Sequence, residues 1–274
     1  MNKIFVIQLI ISFIVGGGVI ALLSFLAERV NSHIAGIILT FPTTVALGFF
    51  FLGWTLSSEA VANIVPATLI PLGLSILFAA VYSYVAEYCA KIIENKIWQI
   101  IVSFIVSIGL WFALAIPIVI LKLNILIVGV IGYFLLILIT HILLQRKHYE
   151  KPISLKYTIG QKIGRAIFVG FIIVLIVFFG KTLSPFWGGM FAMFPAAFSS
   201  LMMIIHWYYG PKSLFPTMQK AAIGSISIFV YVITVMFVFP TIGFIAGTLF
   251  AYGLSLIVTL LLTKFQLNPK KYFR

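Results

Sequence analysis

Acidic residues are scarce in this sequence. The 274 residues include five Glu and no Asp, beside 18 Lys and Arg. Most hydrolase and kinase mechanisms depend on pairs or clusters of carboxylates, which this chain can hardly supply. No nucleophile, base and acid converge in the sequence, so we expect a protein that is not an enzyme.

Cysteine and metal-ligand patterns are equally scarce. Cys89 is the single cysteine and cannot form an internal disulfide, so it does not indicate the redox compartment. The four His residues, His206 among them, are scattered without an HExxH or CxxC pattern, which favours surface or packing roles. We therefore expect neither a bound metal nor another cofactor.

Long hydrophobic runs dominate what is present. Hydrophobic residues make up 63% of the chain and charged residues 8%, whereas an ordinary soluble domain is about 25% charged. Because about 20 apolar residues of helix cross a bilayer, the sequence predicts an all-α, polytopic integral membrane protein with nine transmembrane helices. The predicted spans are residues 4–27, 33–55, 62–88, 98–121, 124–144, 163–181, 185–209, 216–239 and 241–263, with tight joins at residues 122–124 and at Pro240.

The distribution of Lys and Arg predicts the orientation, since cytoplasmic loops are enriched in both residues. With nine spans, 15 of the 18 basic residues fall on one side, and only Lys3, Lys122 and Lys181 fall on the other. We therefore predict an outside N-terminus and a cytoplasmic C-terminus in the plasma or inner membrane. The net charge of +13 lies between apolar runs, which favours anionic lipid headgroups on the cytoplasmic side over nucleic acid as partners.

A gapless offset of 153 residues reveals an internal repeat. Between Ile14 and Trp54, nine of 41 positions are identical to their partners. The offset carries span one onto span six, a shift of five helices, and an odd shift reverses direction across the membrane. The most informative matches are Gly17 with Gly170, Gly36 with Gly189, Phe41-Pro42 with Phe194-Pro195, and Trp54 with Trp207.

The repeat predicts an inverted 4 + 1 + 4 organisation. Residues 1–122 form the first four-helix unit, and residues 162–274 form the second. Residues 123–161 contain the reversing linker helix and a basic cytoplasmic loop.

The segment from Ile34 to Thr43, IAGIILTFPT, resembles the signature of the GlpM-like small membrane proteins. Members of that family have four spans and a similar pattern in the second helix. The resemblance implies that this chain is a fused tandem duplication with an inverting linker helix, and it implies no substrate. The second unit has Ala196 where the first has Thr43, so only the first unit keeps the motif threonine.

The two Phe-Pro motifs form the predicted functional site. Proline removes an i to i−4 hydrogen bond, so we expect Pro42 to free the carbonyl of Ile38 and Pro195 that of Phe191. Inversion would bring the two breaks together near the bilayer midplane, where repeat transporters bind substrate. The alternative is that the kinks serve packing alone. The predicted pathway residues are Gly36, Thr40, Phe41, Pro42, Thr43, Thr44, Gly189, Phe194, Pro195, Ser199 and Ser200.

Two functions follow from these expectations. The first is a membrane transporter or channel for a small solute, ion or lipid-like molecule, with its pathway between the two units. The second is a non-transporting membrane subunit or scaffold of an envelope assembly, which needs the same fold without a polar path. The scarcity of charge inside the spans favours an uncharged or anionic species over a cation. Assembly of further copies into a homo-oligomer is left open.

Overall fold

The computed structural model describes residues 3–29, 42–145 and 158–267, and these are almost entirely helical. A short 3₁₀ turn at Pro211–Ser213 precedes the last helix. The helices are α1 (Lys3–Arg29), α2 (Thr43–Thr55), α3 (Ser58–Ile92), α4 (Lys96–Ile120), α5 (Leu126–Gln145), α6 (Ile159–Thr182), α7 (Pro185–Ala192), α8 (Ala196–Tyr209) and α9 (Leu214–Leu267).

The predicted class, an all-helical membrane protein, is confirmed. Within the described ranges, seven helical segments are long and apolar enough to cross a membrane, with α7 and α8 counted together and α9 counted once. α2 is a shorter apolar helix of 13 residues, and the part of the predicted second span before Pro42 lies outside the described residues. Large apolar side chains such as Ile127 and Leu249, each 70% exposed, cover the rim of the bundle, as lipid contact requires.

The last helix, α9, is a helical hairpin. Gly243 has φ 77° and ψ 169°, a backbone conformation that favours glycine. Ser255 Oγ donates to the Ser227 carbonyl at 2.9 Å, although residues 28 positions apart in a straight helix would be about 42 Å apart. The chain therefore reverses at Gly243, and the predicted join at Pro240 is wrong because Pro240 lies inside the first arm.

The first helices of the two predicted units, α1 and α6, cross through two glycines. A Cβ atom at Gly17 would lie 2.9 Å from the Ala166 carbonyl oxygen, and one at Gly170 would lie 3.0 Å from that of Phe13. Adding 153 to Phe13 and Gly17 gives Ala166 and Gly170, so each contact is the image of the other under the repeat offset. Because earlier residues of α1 meet later residues of α6, the two helices are antiparallel.

The central helix, α3, packs against α4, α5 and α9. The side chain of Asn124, in the turn before α5, forms hydrogen bonds with backbone groups of α3. Asn124 Oδ1 accepts from the Ala67 N–H at 3.1 Å, and Asn124 Nδ2 donates to the Asn63 carbonyl at 2.7 Å. In an unbroken helix those two backbone groups would bond to each other. Asn124 replaces that bond and ties α5 to α3.

Candidate functional site

The second break separates α7 from α8 at the motif Phe194-Pro195. The N–H groups of Met193 and Phe194 bond back to Met190 and Phe191 in tight turns, and α8 begins at Ala196. The Phe191 carbonyl accepts from the Phe194 N–H at 3.0 Å. The prediction that Pro195 leaves the Phe191 carbonyl free is therefore wrong, because the chain tightens before the proline.

The carbonyl that needs a side-chain partner at the second break is that of Met193. Ser75 Oγ, from α3, donates to it. Trp111 of α4 donates its Nε1–H to Ser75 Oγ at 3.0 Å and also lies 3.3 Å from the Pro71 carbonyl. The Trp111 ring packs edge-on against Phe194, with 5.5 Å between centroids. We call Ser75, Trp111 and the Met193 carbonyl the latch.

The first break has the same backbone as the second. Pro42 precedes α2 with φ −74° and ψ 39°, and Pro195 precedes α8 with φ −75° and ψ 47°. Each proline carbonyl accepts the first helical hydrogen bond at 2.8 Å, from Ala46 and Ser199. Gly36, Thr40, Phe41 and the Ile38 carbonyl, all predicted to belong to this site, lie outside the described residues.

The first break meets the α9 hairpin. Thr43 and Thr44 are buried, and the Tyr252 hydroxyl reaches the Thr43 side chain. The Tyr231 ring packs against Tyr252 at 5.4 Å between centroids, and its hydroxyl is near that of Thr248 without a hydrogen bond of normal length and angle. The Tyr231 hydroxyl is fully buried and has no hydrogen-bond partner among the described residues. We call Thr43, Tyr231, Thr248 and Tyr252 the hydroxyl cluster.

The predicted pathway serines, Ser199 and Ser200, are buried in the first turn of α8. Their hydroxyl groups donate to the carbonyls of Pro195 at 2.7 Å and Ala197 at 3.1 Å. Serine commonly satisfies itself in this way in membrane helices. Both serine hydroxyls are therefore satisfied locally, within the first turn of α8, in this conformation.

The register between α2 and α7 brings the two breaks towards each other. A Cβ atom at Gly48 would lie 3.2 Å from Ala192 Cβ, and one at Gly188 would lie 2.8 Å from Leu52 Cδ2. In both pairs the residue numbers sum to the same value, as in an antiparallel pair. The start of α2, just after Pro42, and the end of α7, just before Pro195, therefore lie at the same end of this helix pair.

The remaining predicted residue, Gly189, allows α7 to approach α3. A Cβ atom there would lie 2.7 Å from Ile64 Cδ1 and 2.9 Å from Thr68 Cγ2. Gly189 therefore positions the second break against α3, as a glycine at a close helix crossing does.

A polar stripe leads from the second break to the end of α8. His206 is fully buried, with Nδ1 3.3 Å from Tyr82 Oη and Nε2 3.3 Å from Gln99 Oε1. A packing or surface role was expected for His206, and these two polar partners were not predicted. From there, buried residues follow at every fourth position of α4, namely Gln99, Ser103, Ser107 and Trp111.

Sequence reasoning missed Ser75, Trp111, Tyr231 and Tyr252. The spacing of Ser75 four residues after a helix proline, Pro71, was the only local signal, because a hydroxyl there faces the weakened turn. Among the described residues there is no cluster of three or more His, Cys, Asp or Glu side chains that could hold a metal ion. No family model, curated protein or solved structure matches the chain.

Proposed function

We propose that this protein is a membrane transporter or channel whose pathway runs between the two Phe-Pro breaks. The observation that carries the proposal is the pair of breaks itself. Two buried prolines, 153 residues apart, start helices with nearly equal dihedral angles, and polar side chains surround both. Interrupted helices with polar surroundings near the bilayer midplane are typical of substrate sites in repeat transporters.

The inverted 4 + 1 + 4 repeat is part of the proposal. The reciprocal contacts of Gly17 and Gly170 support it, because a two-fold axis makes each contact reappear with the partners exchanged. The packing of each break on helices of the other predicted unit also supports the repeat. The second break packs on α3 and α4, and the first break packs on the two arms of α9. In this reading each unit is one GlpM-like four-span module.

The proposed topology has nine spans, with an outside N-terminus and a cytoplasmic C-terminus. The reversal at Gly243 supplies two spans from α9, and α2 supplies the end of the second span. A reporter fused after residue 274 tests the orientation. Activity specific to the cytoplasm is expected, and activity specific to the outside would overturn the assignment.

Flux through proteoliposomes tests transport directly. The purified full-length protein is reconstituted, and the movement of neutral solutes, small anions and small cations is measured one by one. We expect flux of a neutral or anionic solute. We expect both Pro42→Ala and Pro195→Ala to lower it, since alanine restores the backbone N–H and the helical dihedral angles that proline disfavours at the residue before it. Pro117→Ala is the matched control, because Pro117 also lies within a helix but is exposed on the rim.

The alternative, a scaffold subunit, predicts a different result. The latch favours a scaffold role. At the second break, Ser75 Oγ bonds both to the Met193 carbonyl and to the Trp111 N–H, so these polar groups are already satisfied. A scaffold would show no flux of any solute. It would instead co-purify from native membranes with one fixed partner complex, and both proline variants would leave that complex intact.

A further inference from the structure

The fully buried hydroxyl of Tyr231 has donor capacity that the described residues do not use. Its ring lies between the two arms of α9, and its neighbours at the hydroxyl are Thr248 and Tyr252. Thr248 directs its own hydroxyl to the Phe244 carbonyl at 2.7 Å. A buried hydroxyl without a partner is costly, so a native structure usually supplies one, and a bound molecule is one supplier.

The N-terminus of α2 adds further donors to the same cluster. Thr43 is the first residue of α2, and the first N–H groups of a helix have no partner within that helix. Pro42 precedes them without a capping side-chain hydrogen bond, and the Tyr252 hydroxyl reaches Thr43. The positive end of the α2 dipole therefore lies beside the Tyr252 phenol group, and the Tyr231 ring packs against that of Tyr252.

The charge around the hydroxyl cluster selects the ligand. Its four side chains are hydroxyls and aromatic rings, and the whole chain has five Glu and no Asp against 18 basic residues. A cation would find no carboxylate in the cluster. An anion would find the Tyr231 phenol donor, the Thr248 hydroxyl once it turns from the Phe244 carbonyl, and a helix N-terminus, and proteins bind anions with such donors.

We propose that the hydroxyl cluster at the first break binds a small monovalent anion, with Tyr231 as a direct hydrogen-bond donor. The inference rests on the proposed transport function. It names the class of substrate and assigns its binding to one of the two breaks. The first break is the binding site, and the second break, closed by the latch, is not. The Tyr231 hydroxyl then has its partner only when the anion is present.

Anion-dependent stabilisation of the purified protein in detergent tests the site without requiring transport. Thermal unfolding is followed while chloride, fluoride, nitrate, formate or thiocyanate replaces gluconate at constant ionic strength. We expect saturable stabilisation by at least one of these anions. We expect Tyr231→Phe to weaken the apparent affinity about tenfold or more, because hydrogen bonds to charged groups are the strong ones.

Tyr133→Phe is the matched control. Tyr133 is equally buried, but its hydroxyl bonds to Ser225 at 3.0 Å, away from the cluster, so its anion affinity should stay at the wild-type value. Thr248→Val removes a second cluster hydroxyl and keeps the test valid if Tyr231→Phe does not fold. It should weaken anion binding as well.

The outcomes separate the site from transport. Anion binding that Tyr231→Phe abolishes supports the site even if no solute moves, in which case only the transport proposal fails. Solute flux without any anion-dependent stabilisation overturns the site and leaves transport standing. Equal stabilisation of the wild type, Tyr231→Phe and Thr248→Val also overturns it, because the anion would then act away from the cluster.

Discussion

The first and second breaks share a backbone and differ in their partners. Both begin a helix after a proline with φ near −75°, and both are buried. At the second break, the Met193 carbonyl bonds to Ser75, which bonds to Trp111. At the first break, the Tyr231 hydroxyl has no partner among the described residues. The repeated sequence therefore specifies the interruption, whereas the helices that pack on it decide whether its polar groups are satisfied.

This difference indicates that the two breaks have different roles. A satisfied polar network holds a helix junction in one arrangement, whereas a partly satisfied one can respond to a ligand. We expect the second break to contribute mainly to stability and the first mainly to binding. Four substitutions test that contrast, from the largest expected effect to the smallest.

Trp111→Ala should have the largest effect on folding. The substitution removes a fully buried ring from Phe194 and the N–H donor from Ser75. A large aromatic to alanine change in a core costs about 3–5 kcal/mol. Unfolding in SDS titrations, followed by circular dichroism, measures the loss. Trp98→Ala is the control, since Trp98 is 57% exposed and should change stability little. Equal losses of stability for the two variants would contradict a stabilising role of the latch.

Gly189→Ala should destabilise the second break by about 1–3 kcal/mol, the usual cost of overpacking a close contact. The new methyl group would lie within 3 Å of Ile64 and Thr68, so α7 must move away from α3. Gly109→Ala is the matched change in a helix, and a Cβ atom there meets nothing within 4 Å. The control should be neutral or slightly stabilising, because alanine favours the helix over glycine. The same SDS titration compares them, and a neutral Gly189→Ala would contradict the close approach.

Ser75→Ala should cost about 1–2 kcal/mol, because it leaves the Met193 carbonyl without its donor and the Trp111 N–H with only the longer bond to the Pro71 carbonyl at 3.3 Å. Ser107→Ala serves as the control, since Ser107 Oγ donates only to the Ser103 carbonyl of its own helix at 2.6 Å. A double-mutant cycle of Ser75→Ala with Trp111→Phe measures the coupling. Additive losses would mean that the two side chains do not act together.

Tyr231→Phe should change stability least when anions are absent. Removing a hydroxyl that has no partner removes its burial cost, so the variant is expected to be as stable as the wild type or slightly more stable. Tyr133→Phe, which breaks the bond to Ser225, should lose about 1 kcal/mol. Thermal unfolding in gluconate compares them. A clear loss for Tyr231→Phe in that buffer would show that the first break is already satisfied by the protein or by water.

The helical class and most span limits could be predicted from the sequence because lipid allows few solutions. An apolar run of about 20 residues must close its own backbone hydrogen bonds, so hydropathy alone places helices such as α4 and α5. The break at Pro195 was predictable as well, because proline has no N–H to donate, whereas the residues before Pro42 lie outside the described ranges. The repeat offset paired Gly17 with Gly170, but only the structure shows their reciprocal contacts with Ala166 and Phe13.

The partners of the breaks could not be predicted in the same way. Ser75 and Trp111 lie on different helices from Met193, and only tertiary packing brings them together. The Phe191 carbonyl was assigned wrongly because the α-helical i to i−4 rule does not hold in a turn that tightens to i to i−3. Gly243 and Pro240 compete as local signals for the reversal, and only the observed φ of 77° distinguishes them.

The reversal at Gly243 has a consequence for biogenesis. No charged residue lies between Lys220 and Lys264. The tip of the α9 hairpin can therefore cross the bilayer without the free-energy cost of moving a charge through hydrocarbon. In the proposed topology, both basic ends of the hairpin stay on the cytoplasmic side, and the two arms insert into the membrane together. An arginine placed beside Gly243 would have to cross the bilayer during insertion and should therefore hinder insertion of the hairpin.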